Sequence, residues 1–185
     1  GSNPESVVRV DDSHALVVCI TGGIFVAVLI YTDLVGDTLT AITSANGPAC
    51  NTANVSHCLK LDDRKYGLVY TNASVNYITT IEVDAGNTTI TWGTSYVIPH
   101  GITAAGVISP TVMGLAYITN NGAVDQVALG QVNISGGSSA KCVIYAAASL
   151  GVLISEPLAV GMSGAYVVVS YGDAIRDYYI ASASV

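Results

Sequence analysis

The chain has 185 residues, 51% of them apolar and only 10% charged, a length that suits one domain or one compact array of repeats. Its net charge of −7, from 13 acidic against 6 basic residues, opposes a phosphate backbone and argues against nucleic-acid binding. The longest uninterrupted apolar run, Ile24 to Tyr31, falls far short of the roughly 18–20 residues that cross a bilayer as a helix, so no membrane span is expected.

Laid over itself with an offset of 51 residues, the chain matches without a gap from Val7 to Ser44. Strand-length runs rich in β-branched residues recur throughout, bounded by Gly, Asn, Asp and Ser, and no long segment keeps a helical period. The first copy predicts strands at 7–10, 16–20, 26–34 and 38–44, and the second at 58–61, 66–71, 77–84 and 88–98. Residues Asp62 to Lys65, Asn72 to Asn76 and Ala85 to Asn87 supply the turns of that second meander. Met113 to Tyr117, Val127 to Val132 and Ala140 to Ala146 repeat the pattern a third time. Leu158 to Val160, Tyr166 to Tyr171 and Ile175 to Ala183 begin a fourth copy without a last strand. The expected fold is all-β, one domain over 1–185, with four-stranded antiparallel meanders at about 7–51, 58–102, 107–150 and 156–185. Repeats of this length stack so that each sheet covers its neighbour, which predicts a propeller-like array; a β-sandwich or jelly roll is the alternative.

The chemistry-bearing residues are sparse. Asp11-Asp12 and Asp62-Asp63 occupy equivalent turns and lack the spaced oxygen donors of a calcium loop, so they read as turn formers. His14, His57 and His100 share no metal-ligand spacing, and Gly161-Met162-Ser163-Gly164-Ala165 lacks the second Gly of a nucleophile elbow. No catalytic, metal or cofactor site is therefore assigned, and the chain is not expected to be an enzyme. Cys50 and Cys58 share a polar loop and are expected to bridge if the protein matures in an oxidising compartment, while Cys19 and Cys142 lie in apolar strand patterns and read as buried thiols. Glycosylation sequons stand at Asn54, Asn72, Asn87 and Asn133. Tyrosine outnumbers phenylalanine eleven to one, and the adjacent pair Tyr178 and Tyr179 points to opposite faces of its strand, so a contact role is expected for one of them. The last strand carries no Pro or Lys to guard its edge, which predicts that the edge is filled by 3–10 of the same chain or by a neighbouring subunit.

The second copy, Leu61-Asp62-Asp63-Arg64-Lys65-Tyr66-Gly67-Leu68-Val69-Tyr70 followed by Ile81-Glu82-Val83 and Thr89-Ile90-Thr91-Trp92-Gly93, resembles the degenerate propeller-like repeats of tail-fibre and other surface proteins of phages and large viruses. The likeness covers about half the chain. It implies a noncatalytic structural or attachment module of a virion or extracellular assembly, with self-association or a cell-surface glycan or protein as partner, and it transfers no specific site residue. A secreted glycan-binding lectin is the alternative expectation.

Overall fold

The computed structural model describes the backbone at 3–33, 38–50, 54–98, 102–120, 125–133, 141–149, 154–163, 166–173 and 178–184, with side chains at 5–33, 38–50, 58–98, 105–107 and 109–114. Among these residues the chain is all-β and antiparallel, as its composition predicts, and no helix is long and apolar enough to cross a membrane. The strands gather into two compact units, 1–97 and 98–185.

In the first unit, β1 (Asn3–Arg9), β2 (His14–Thr21), β3 (Ile24–Asp33) and β4 (Thr38–Ala49) form one open meander, the first sheet. The second sheet is β5 (Asn54–Asp62), β6 (Lys65–Asn72), β7 (Val75–Val83), β8 (Ile90–Trp92) and β9 (Tyr96–Ile98), with β8 and β9 both paired to β7. The single last strand expected over 88–98 is thus broken in two. The break follows Gly93, which lies close on β7: its amide donates to the Thr80 carbonyl at 2.8 Å, its carbonyl accepts from Thr79 Oγ1 at 2.9 Å, and a Cβ there would stand 2.1 Å from Thr80 Oγ1. Only a residue without a side chain fits that approach.

Alternation in β2 and β3 turns Leu16, Val18, Phe25, Ala27 and Leu29 to one face, where they meet Cys58, Tyr66, Leu68, Tyr70, Ile81 and Val83 of the second sheet. Each large side chain buried in this way contributes about 1.5–3 kcal/mol. Phe25 meets Tyr70 edge to face with centroids 4.8 Å apart, and Tyr70 stacks on Tyr77 at 5.2 Å. Trp92 lies over Gly47 of β4, where a Cβ would stand 2.6 Å from the indole, and its Nε1 donates to the Ala45 carbonyl at 3.1 Å. First strand lies against first strand and last against last, β1 beside β5 and β4 beside β8, so the two meanders stack in register.

Val69 and Ile78, on the second sheet's far face, are fully buried as well. The outer face of the first sheet, by contrast, is half-exposed. Cys19 lies there and not in the core, because the alternation of β2 buries Leu16 and Val18 on the opposite side.

In the second unit, β10 (Ile102–Ser109), β11 (Val112–Asn120), β12 (Asp125–Asn133) and β13 (Lys141–Ser149) form a third meander. A fourth contains β14 (Ile154–Ser163), β15 (Tyr166–Asp173) and β16 (Tyr178–Ser184), and β14 lies against β10. Among the described residues β16 has β15 as its one strand partner. One irregularity occurs in all four sheets. The residues paired with Cys19, Tyr70, Tyr117 and Tyr171 are Pro4, Val55, Ile102 and Pro157, and each is followed by one unpaired residue, Glu5, Ser56, Thr103 or Leu158. Such a bulge bends an edge strand and increases its twist.

Candidate functional site

Three connections of the first unit converge at one end of its two sheets: the turn after β1, the turn between β5 and β6, and the loop between β7 and β8. Asp11 is the hub. Its Oδ1 accepts from the Ser13 amide at 3.0 Å, the turn contact expected of an Asx residue, and lies 2.7 Å from His14 Nδ1. Its Oδ2 accepts from Arg64 Nη2 and from Asn87 Nδ2, both at 3.4 Å. Arg64, held at φ 59°, also donates from Nη1 to the Asp84 carbonyl at 3.1 Å and to Asn87 Oδ1. The loop that carries Asn87 is itself built on Asp84, whose carboxylate accepts from the amides of Gly86, Thr88 and Thr89 at 3.1, 2.7 and 2.6 Å and from Thr88 Oγ1 at 3.0 Å. His14 completes the group by packing on Tyr31 with ring centroids 5.5 Å apart.

The electrostatics follow from these donors. Desolvation pushes the Asp11 carboxyl up, but the hydrogen bonds from Ser13, His14 and Asn87, with the adjacent imidazole, outweigh it and hold the group well below the usual carboxylate range. The Thr89 amide is the largest influence on Asp84; with Thr88 and Gly86 it overcomes a smaller desolvation effect and lowers that carboxyl too. Beside the hub an open cleft of about 630 Å³ is lined by Arg9, Asp12, Lys60 and Asp63, among others. Arg9 pairs with Asp12, and Lys60 Nζ donates to the Val10 carbonyl at 3.0 Å, so the cations of the cleft are already engaged. Tyr66, beneath it, reaches the Arg9 carbonyl at 3.4 Å, and burial pushes its hydroxyl up to about 12.

Ser13, His14 and Asp11 have the composition of a nucleophilic triad but not its geometry. Ser13 Oγ lies 3.1 Å from His14 Nδ1, the same nitrogen that faces Asp11, whereas proton relay requires the hydroxyl and the carboxylate on opposite ring nitrogens. Among the described residues no group of three His, Cys, Asp or Glu side chains is placed to hold a metal. What this arrangement does is fasten the first sheet to the second, by bonds that reach 53 and 76 positions along the sequence. Arg64 and Asn87 are not linked to Asp11 by any local motif, because one belongs to the β5–β6 turn and the other to the β7–β8 loop.

Of the residues singled out in the sequence, Cys50 and Cys58 are buried in the shared core as thiols. Burial is the main cause that raises both; it pushes Cys58 up to about 12, and the Glu5 charge adds to the effect at Cys50. Asn72 ends β6, where its Nδ2 donates to the Ala49 carbonyl at 3.1 Å. A glycan on Asn72 or Asn87 would compete with the contacts of those nitrogens. Asn54 lies in β5, Asn133 ends β12, and Tyr178 and Tyr179 open β16 opposite Gly172 and Tyr171; their side chains, with those of His57 and Cys142, lie outside the described residues, as does all of His100. No protein-family model matches the chain, and no curated protein matches it.

Proposed function

We propose that the chain is a noncatalytic structural or attachment module of a virion or extracellular assembly, built as a propeller-like stack of meander repeats. The observation that carries this reading is the in-register stacking of the first two sheets, which brings together strands equivalent at the 51-residue offset. The bulge that recurs after the residue paired with Cys19, Tyr70, Tyr117 and Tyr171 supports a repeat in all four sheets. The likeness of the second copy to tail-fibre repeats points to a surface role, and the hydrogen bonds of the polar hub join the two sheets. Rigid stacked repeats suit such a role, because they resist shear without a cofactor and present broad surfaces.

Immunogold labelling of extracellular particles from the source culture, with antibody against the purified chain, tests this. Label on particle surfaces is the expected result. Label restricted to the cell interior, or hydrolytic turnover in a polysaccharide screen, would overturn it. Specific binding on a glycan array, lost when one repeat is altered, would favour the lectin reading instead.

A further inference from the structure

We infer that Asn46 is a site of spontaneous modification, where the side-chain amide closes on the Gly47 nitrogen to a succinimide, and that Trp92 withholds this reaction while the two sheets of the first unit are joined. The inference goes beyond the proposed assembly role and does not draw on it.

The chain holds two Asn-Gly pairs, Asn46-Gly47 in β4 and Asn121-Gly122 in the sequence between β11 and β12. Asn is a thermolabile residue, and a following Gly, which has no Cβ, obstructs attack by the backbone nitrogen least. The reaction balances with water as its only co-reactant. The Gly47 nitrogen gives up its proton and bonds to Asn46 Cγ, ammonia leaves, and water opens the ring at either carbonyl carbon to give aspartate or isoaspartate.

Asn46 is exposed, while its neighbours Ala45 and Gly47 are half-buried. It pairs with Val26, and Ala49 pairs with Ile24, so Gly47 and Pro48 together face Phe25 in a bulge. Trp92, the chain's one tryptophan, grips both sides of Asn46. Its Nε1 donates to the Ala45 carbonyl at 3.1 Å, and its ring lies so close over Gly47 that a Cβ there would stand 2.6 Å away. Gly47 is not among the glycines of positive φ, so the indole, and not a left-handed backbone, demands a glycine at this position. The joint thus sets beside an exposed asparagine the neighbour that most favours ring closure.

The same contacts oppose the reaction. Ring closure turns the Asn46-Gly47 peptide out of its extended form, and a strand residue paired with Val26 and flanked by the indole contacts makes that turn only when Trp92 lifts. Conversion is then one-way. Isoaspartate lengthens the main chain by a methylene, which carries Gly47 out of place beneath the ring and disturbs the packing of Trp92 near Phe25, 6.4 Å away between centroids.

Peptide mapping by mass spectrometry, on the full chain aged in mildly alkaline buffer over a urea series, tests the proposal, and Trp92 emission reports the joint in the same samples. Conversion at Asn46 should be roughly tenfold or more slower in native buffer than in denaturing urea, because a reaction confined to the open state proceeds in proportion to the open fraction. It should rise with urea in step with the red shift of Trp92. Trp92→Leu should speed conversion at Asn46 in native buffer while Asn121 keeps its wild-type rate. Asn46→Gln, whose longer side chain closes a ring far more slowly, should hold its emission through an incubation that shifts that of the wild type. Equal Asn46 rates in native and denaturing buffer would overturn the inference. So would a rate that stays at its native value after the emission has shifted, or a folded Trp92→Leu chain whose Asn46 gains no more than its Asn121. The urea series needs no variant, so it decides the matter even if Trp92→Leu fails to fold.

Discussion

The first and second sheets share a strand plan, a bulge and a 51-residue correspondence, yet one is covered on both faces and the other on one. The side chains have adjusted to this difference position by position. Where the second sheet has Tyr70, Tyr77 and Trp92 in a joint, the first has Cys19, Val26 and Ala41 on its half-exposed face. Even the hairpins differ: Gly22 and Gly23 take positive φ (60° and 79°) between β2 and β3, whereas Ala73 and Ser74 take it (49° and 65°) between β6 and β7. The same backbone geometry is therefore reached with ease in one sheet and with strain in the other. Burial, not strand plan, decides how much each position matters.

The sharpest way to break that contrast is to truncate one matched pair. Tyr70→Ala should cost about 3–5 kcal/mol in urea unfolding, because a fully buried ring and its contacts with Phe25 and Tyr77 are lost, while Cys19→Ala should cost under about 1 kcal/mol. Equal losses would mean that the two faces are not differently buried.

Next in size is Gly47→Ala, expected to destabilise by about 1–3 kcal/mol because the new Cβ must displace the Trp92 ring. A red-shifted or broadened tryptophan emission in that variant would report the displacement, and unchanged stability and emission would argue against the close approach.

The hairpins should respond in opposite directions. Ala73→Asn with Ser74→Gly is expected to stabilise the chain by about 1 kcal/mol, and Gly22→Ala to destabilise it by a similar amount, in thermal melts. A loss of stability in the first variant would show that Ala73 and Ser74 are held by contacts worth more than their strain.

The smallest effect is the pH dependence of the polar hub. The folded values of Asp11 and Asp84 lie below their ordinary 3.8, so the stability that these groups contribute is present above pH 3.8 and is lost as the pH falls toward and through the lowered values. Asp11→Asn and Asp84→Asn should lower stability at neutral pH and flatten its decline below pH 4, as followed by unfolding midpoints. A decline as steep as that of the wild type would place the acid sensitivity elsewhere.

Much of the strand plan was legible because β-branched runs and Gly, Asn and Asp punctuation report local preference, and the 51-residue offset carried the first sheet's pattern onto the second. What escaped was tertiary. The break at Gly93 depends on Thr79 and Thr80 in a neighbouring strand, and the exposure of Cys19 depends on which face of β2 meets another sheet. The hub was legible only as separate turns: Asp11 announced an Asx turn, but nothing local linked it to Asn87.

The recurring bulge has a consequence during synthesis. Each of β1, β5, β10 and β14 is the outermost strand on its side of a sheet, and each is kinked near its start. A newly emerged meander, its faces still bare, thus offers on that side a twisted margin that resists cross-β templating by other nascent chains. Aggregation through that margin is disfavoured at the stage when the chain is most vulnerable, before any sheet has found the neighbour that will cover it.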